Sequence, residues 1–139
     1  MRKLIHICFL LLFIAASCKK EKITDRKQGV SLPTVSNLAL QKTADKEVKL
    51  TWGMPTAIPD QVQQPLSVFI EVNEIVSVTK AISVFSTTLT GASAQFVYEL
   101  PDAAKKYHFT VKLVGNTKTS DVNYSSVIYS LGQTVSYNE

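Results

Sequence analysis

Covalent chemistry needs a nucleophile with a base, paired carboxylates, or side chains that can hold a metal. This sequence offers few of them. Its two cysteines, Cys8 and Cys18, both fall in the first eighteen residues, and so does His6, one of its two histidines. The remaining histidine, His108, stands between Tyr107 and Phe109. Strand alternation turns it away from whatever those two aromatics pack against, toward solvent. A Ser–His arrangement needs a third group to orient the imidazole. Asp102 and Asp121 are available for that role, but no spacing ties either to His108. Glu71 and Glu74 are three apart at an expected strand end, which does not make their carboxylates face each other. Asp45, Glu47 and Asp60 read as solvated loop charges, without the alternating oxygen ligands of a calcium loop. The five glycines form no phosphate-cradling loop, and one histidine with no cysteine in the body is too little for zinc. The expectation is therefore no enzyme, no metal and no cofactor.

Cys18 is different. Arg2 and Lys3 give the chain a positive start, and residues 4–16 are apolar apart from His6. The small residues Ala15, Ala16 and Ser17 lead to Cys18. A positive end, a short apolar stretch and a small-residue exit describe a secretory signal. The stretch is shorter than the roughly 20 apolar residues a membrane span needs. Ala15-Ala16-Ser17-Cys18 resembles the lipobox of bacterial lipoproteins of the Bacteroidota type, departing from the common pattern where Ala15 replaces a leucine. The resemblance implies a signal peptide over residues 1–17, then a diacylglycerol on the Cys18 thiol, which becomes the new N-terminus. Each buried acyl methylene contributes about 0.8 kcal/mol, so two or three chains hold a protein durably.

Residues 18–31 have no apolar periodicity and read as a tether. Between positions 19 and 27 they carry five basic and two acidic side chains. The formal charge of the whole chain is +4, yet from Leu32 onward there are eight basic and nine acidic residues. The body lacks the basic stripe that nucleic-acid binding needs, so that partner class is not expected. By resemblance to lipoprotein sorting, Lys19 argues against retention at an inner membrane. That leaves a cell-envelope protein on the outer membrane, with its periplasmic or surface face open.

From Leu32 the pattern has period two. Val48, Leu50 and Trp52 alternate with Lys49 and Thr51, and Tyr107, Phe109, Val111 and Leu113 alternate with His108, Thr110 and Lys112. Such runs write half-buried strands. Phe96, Tyr98 and Leu100 form a third run, Leu66, Val68, Ile70 and Val72 a fourth, and Val127, Tyr129 and Leu131 a weaker later one. Asp102-Ala103-Ala104-Lys105-Lys106 has the composition of one helical turn, but Pro101 precedes it and a strand follows at once. Short strands between turn residues predict an all-β, two-sheet sandwich of about seven to nine strands over residues 32–139.

Over residues 32–135 these runs resemble a fibronectin type III domain, with another immunoglobulin-like variant as the alternative. The resemblance puts Pro33, Val35 and Leu38 on the first strand. It makes Val48-x-Leu50-x-Trp52, followed by Pro55, the second, with Trp52 in the core. Tyr107 would be the tyrosine that turns its hydroxyl back to the crossing backbone. The crossing from Leu100 is one residue longer than usual, and Pro101 follows Leu100 directly. Residues 73–94 are long for the middle of this fold; they read as two extra or extended strands with a turn over residues 87–93 centred on Gly91. Trp52, Phe96, Tyr98, Tyr107 and Phe109 are expected to dominate the core.

Two loops could carry recognition. Residues 54–65 contain Pro55, Pro59 and Pro65, which limit the entropy of a long connection, and include Asp60. Residues 115–124 are polar, with Asn116 and a single aromatic, Tyr124. Asp60, Asn116 and Tyr124 are the candidate ligand contacts. The expected function is a non-catalytic envelope lipoprotein that binds a protein partner. Resemblance to the small lipoproteins of glycan-uptake systems gives the alternative, an accessory carbohydrate-binding protein.

Overall fold

A computed structural model describes residues 29–120 and 125–138. The leader, Cys18, the tether up to residue 28, Asp121 and Tyr124 lie outside the described residues. Among those described there are eight strands: β1 (Ser36–Lys42), β2 (Glu47–Gly53), β3 (Ser67–Ser77), β4 (Lys80–Leu89), β5 (Gln95–Glu99), β6 (Tyr107–Asn116), β7 (Val127–Tyr129) and β8 (Gln133–Tyr137). They form two sheets of antiparallel pairs. One has the order β1-β2-β5; the other has the order β4-β3-β6-β7, with β8 also paired to β6. This is an all-β sandwich of the fibronectin type III kind.

The alternation seen in the sequence is the alternation of burial. Val48, Leu50 and Trp52 of β2 face in, as do Val68, Ile70 and Val72 of β3. Along β6, Tyr107, Phe109, Val111, Leu113 and Gly115 are all buried while the residues between them are not. An inward apolar and outward polar row is how a sheet with one covered face lowers its free energy. Tyr98 meets Phe109 edge-on at 5.8 Å, and Phe85 lies 5.1 Å from Tyr98 and 5.9 Å from Phe96, so an aromatic group spans the gap between the sheets. Phe96 is only half-buried, because it sits at the open side of the sandwich rather than in its centre.

Several expectations shift. The first ladder begins at Ser36; Pro33 and Val35 precede it, and Val35 is buried from an irregular segment. Val30 already packs on the core. Residues 73–94 hold two long strands, the end of β3 and the whole of β4, as the extended reading has it, but Thr87 to Leu89 belong to β4 rather than to the turn. Asp102 to Lys106 form turns held by the Asp102 carboxylate, which accepts from the Ala104 N–H at 2.9 Å, not a helical turn. The run Val127, Tyr129, Leu131 faces out, and Ile128 between them turns inward. The last strand is split at Ser130, with β8 following as a separate element.

The two ends of the sandwich differ. The chain enters beside Leu32, which packs near Val62, Leu66 and the end of β6 at Gly115. A Cβ on Gly115 would come within 2.8 Å of Val62 and 3.0 Å of Leu66, so its lack of a side chain lets residues 54–66 lie against β6. The opposite end carries the β1–β2, β3–β4 and β5–β6 connections, the first and last tied together where the Leu100 N–H donates to the Lys46 carbonyl at 2.7 Å.

Candidate functional site

The loops that carry Asp60 and Asn116 come together at the end where the chain enters. The Gln63 N–H donates to the Asn116 carbonyl at 2.8 Å, the Lys118 N–H donates to the Gln61 carbonyl at 2.8 Å, and Val62 bridges Thr117. The proline-rich loop is thus stitched to the start of the β6–β7 loop. Asp60 and Asn116 are both exposed there.

Of the five core residues singled out from the sequence, Trp52, Tyr98, Tyr107 and Phe109 are buried and Phe96 is half-buried. Trp52 donates its indole N–H to the Ser93 carbonyl at 2.9 Å. The Tyr107 hydroxyl accepts from the Asp102 N–H at 3.3 Å, so the corner forms despite the longer crossing. Burial pushes both the Tyr98 and Tyr107 phenols above their ordinary value, and the neighbouring Tyr107 adds to the rise at Tyr98.

Among the described residues, those with chemical potential do not assemble. Glu71 lies on the outer face of β3, opposite Thr110, while Glu74 lies on the other face and pairs with Lys105 at 2.8 Å. The hydrogen bond to Glu74 holds the Lys105 ammonium above its usual value. His108 is on the outer face as alternation requires, between Asn73 and Ser136, but it is half-buried rather than open to solvent. With Ile75, Val78, Lys106, Ser136 and Tyr137 it lines a shallow cavity of about 220 Å³. Among the described residues, no group of three or more His, Cys, Asp or Glu side chains converges as metal ligands would.

Two surface features went unread in the sequence. The first is the β3–β4 hairpin, which runs past Glu74, the last residue of β3 paired with β6. Val76, Ile82 and Val84 are exposed on it, and Val78 at its tip is fully so. Apolar neighbours such as Ile75-Val76 and Val84-Phe85 break period two, and that break is the signal for a strand pair apolar on both faces. The second is on the outer face of the larger sheet. There Phe69 and the exposed Tyr129 meet edge-on at 6.4 Å and 86°. Beside them the hydroxyls of Thr110 and Thr134 are 2.9 Å apart.

Solved structures similar to this chain are fibronectin type III domains. The third such domain of the human KIAA0343 protein matches at 14% identity and a TM-score of 0.51, covering 83% of this chain and 89% of that one. An FN3 domain of human collagen XX matches at 15% identity and a TM-score of 0.48, covering 78% and 94%. No curated protein is matched. Residues 18–137 match one family along nearly the whole body, and the chain belongs to that family, described as a domain of unknown function, DUF4945.

Proposed function

We propose that this chain is a non-catalytic protein-interaction module, held at the outer membrane of a cell envelope through lipid on Cys18. The observation that carries the interaction reading is the β3–β4 hairpin. It places exposed Val76, Val78, Ile82 and Val84 at and near the end opposite Leu32, where the chain enters. An apolar projection of this kind costs solvation while bare and gains about 25 cal/mol per Å² when covered. A tether at one end and an apolar tip at the other suit a module that presents a docking surface away from its anchor. The lipid reading is supported by the leader and small-residue exit, and by a family match whose first residue is Cys18.

A photo-crosslinking residue placed at Val78 or at Asp60 in the full chain, in intact cells, tests this. Adducts are expected from Val78 and not from Asp60; adducts from Asp60 alone would move docking to the other end. Cys18→Ser is expected to shift the chain from membranes to the soluble fraction, and an unchanged distribution would remove the lipid anchor.

The Phe69–Tyr129 pair favours a second reading, carbohydrate binding. An exposed phenol beside the paired hydroxyls of Thr110 and Thr134 offers a sugar both a stacking face and hydrogen-bond partners. Glycan binding that is lost in Tyr129→Ala would select it.

A further inference from the structure

β4 is the edge of the larger sheet: it pairs β3 on one side and has no ladder partner on the other among the described residues. Such an edge is a row of N–H and C=O groups open to another strand, and natural sequences blunt it with lysine, proline or inward charge. Over residues 81–89 β4 reads AISVFSTTL, without charge or proline; Lys80, at its first position, is its one charge. The other edges are shorter or better guarded. β5 has five residues ending in Glu99, β7 has three, and β1 carries Lys42 and a register shift near Ser36. β8 lies beside β1.

The strand also matches itself. Full-length antiparallel pairing of two copies sets Lys80 against Leu89, Ala81 against Thr88, Ile82 against Thr87 and Ser83 against Ser86, so no like charges meet. The faces agree as well. Ala81, Ser83, Ser86 and Thr88 lie opposite Ile75, Asn73, Glu71 and Phe69, on the outer face. Ile82, Thr87 and Leu89 lie opposite Glu74, Ile70 and Val68, on the other. An unbroken ten-residue strand would fail here, because residues opposed in that register would point to different faces. The bulge at Val84, the extra residue between Ser83 and Phe85, shifts the parity and brings the faces into agreement.

We propose that β4 is a self-pairing edge, through which two copies of this chain join their five-stranded sheets into one continuous sheet about a two-fold axis. The proposal rests on the interaction-module reading and names a second copy as the partner. Pairing satisfies the free edge and covers Ile82 and Val84, now 44% and 36% exposed. An isologous contact of this kind closes on itself and does not propagate.

The test uses the full chain in intact cells with Ala81→Cys and Thr88→Cys together, which oppose each other between the two copies but lie far apart within one, and a short bis-maleimide, the unsubstituted chain serving as control. An adduct at twice the monomer mass containing only this chain is expected. Adding Ser83→Lys and Ser86→Lys, which oppose each other in the paired register, is expected to abolish the adduct. Ser83→Glu with Ser86→Lys is expected to restore it. All these side chains are exposed, so the fold tolerates the changes. Adducts with a different protein only, no dimer adduct, or a dimer adduct indifferent to the charges would each overturn self-pairing. Capture at Val78 is scored separately. Its persistence when self-pairing fails leaves the module reading standing, and its loss alone removes that reading.

Discussion

The backbone N–H of Asp102 donates to the phenol oxygen of Tyr107 at 3.3 Å, closing the β5–β6 crossing onto the strand it feeds. The ring of Tyr107 is fully buried, 6.5 Å from Phe109 and 6.4 Å from Tyr137. One side chain thus fills the core and fixes the connection that leads into β6. Tyr107→Phe keeps the ring and removes the acceptor. It is expected to lower stability by about 1 kcal/mol, the net value of a typical hydrogen bond. Urea denaturation measures it, with an unchanged m value showing that the fold is retained.

The same burial makes a prediction about alkali. A phenol whose ionisation is suppressed in the folded state holds its proton after the unfolded chain has lost it. Tyr98 and Tyr107, both raised from 10.0, therefore cost no stability below that pH. Stability should fall as pH climbs above it and toward the folded-state values. The ultraviolet absorbance of tyrosinate, followed with circular dichroism, is expected to show these two rings ionising together with loss of structure. Ionisation of all five tyrosines before any unfolding would contradict this.

Trp52 ties β2 to the turn after β4 through its indole N–H on the Ser93 carbonyl. Trp52→Ala removes the ring and leaves a cavity between the sheets, at an expected cost of about 3–5 kcal/mol. That is a large share of the ~5–15 kcal/mol that holds an ordinary domain. Thermal melting checks it, and an unchanged midpoint would remove Trp52 from the core assignment.

What the sequence displayed, and what it hid, divides along physical lines. Val48-Lys49-Leu50-Thr51-Trp52 and the long run from Tyr107 are legible because one face of each strand is covered and the other is wet. The tip of the β3–β4 hairpin is apolar beyond the body, so its composition resembles core while its position is surface. The last strand was harder still. Leu131 and Tyr129 suggest a buried row, yet Tyr129 is exposed because it pairs with Val114 on the outer face of β6, and Leu131 because it lies in the break between β7 and β8, neither of which composition announces. Of the candidate ligand contacts, the loops that carry Asp60 and Asn116 are joined at one end by backbone bonds, which carry no pattern in the chain.

Ser130 opens that break. It is the one buried polar side chain among the described residues. Its hydroxyl accepts from the Leu113 N–H at 2.8 Å and donates to the Leu131 carbonyl at 3.0 Å. The side chain stands in for the ladder partner that the break between β7 and β8 removes. Ser130→Ala leaves a buried N–H without an acceptor and is expected to cost about 1–3 kcal/mol. Hydrogen exchange should quicken at the Leu113 amide more than at its neighbours on β6; a uniform change along β6 would deny the local role.

Gly115 offers a way to separate the two ends of the sandwich. Gly115→Ala brings a methyl group within 2.8 Å of Val62 and 3.0 Å of Leu66, too close for either to remain where it is. Overpacking of this kind costs about 1–3 kcal/mol. The strain is expected to lift residues 54–66 and loosen the bond from the Gln63 N–H to the Asn116 carbonyl, seen as faster exchange at Gln63. The tip of the β3–β4 hairpin lies at the other end of the sandwich, so crosslinking from Val78 should be unchanged. Were Val78 capture lost as well, the partner would be reading both ends, and the proline-rich loop with Asp60 would belong to the docking surface.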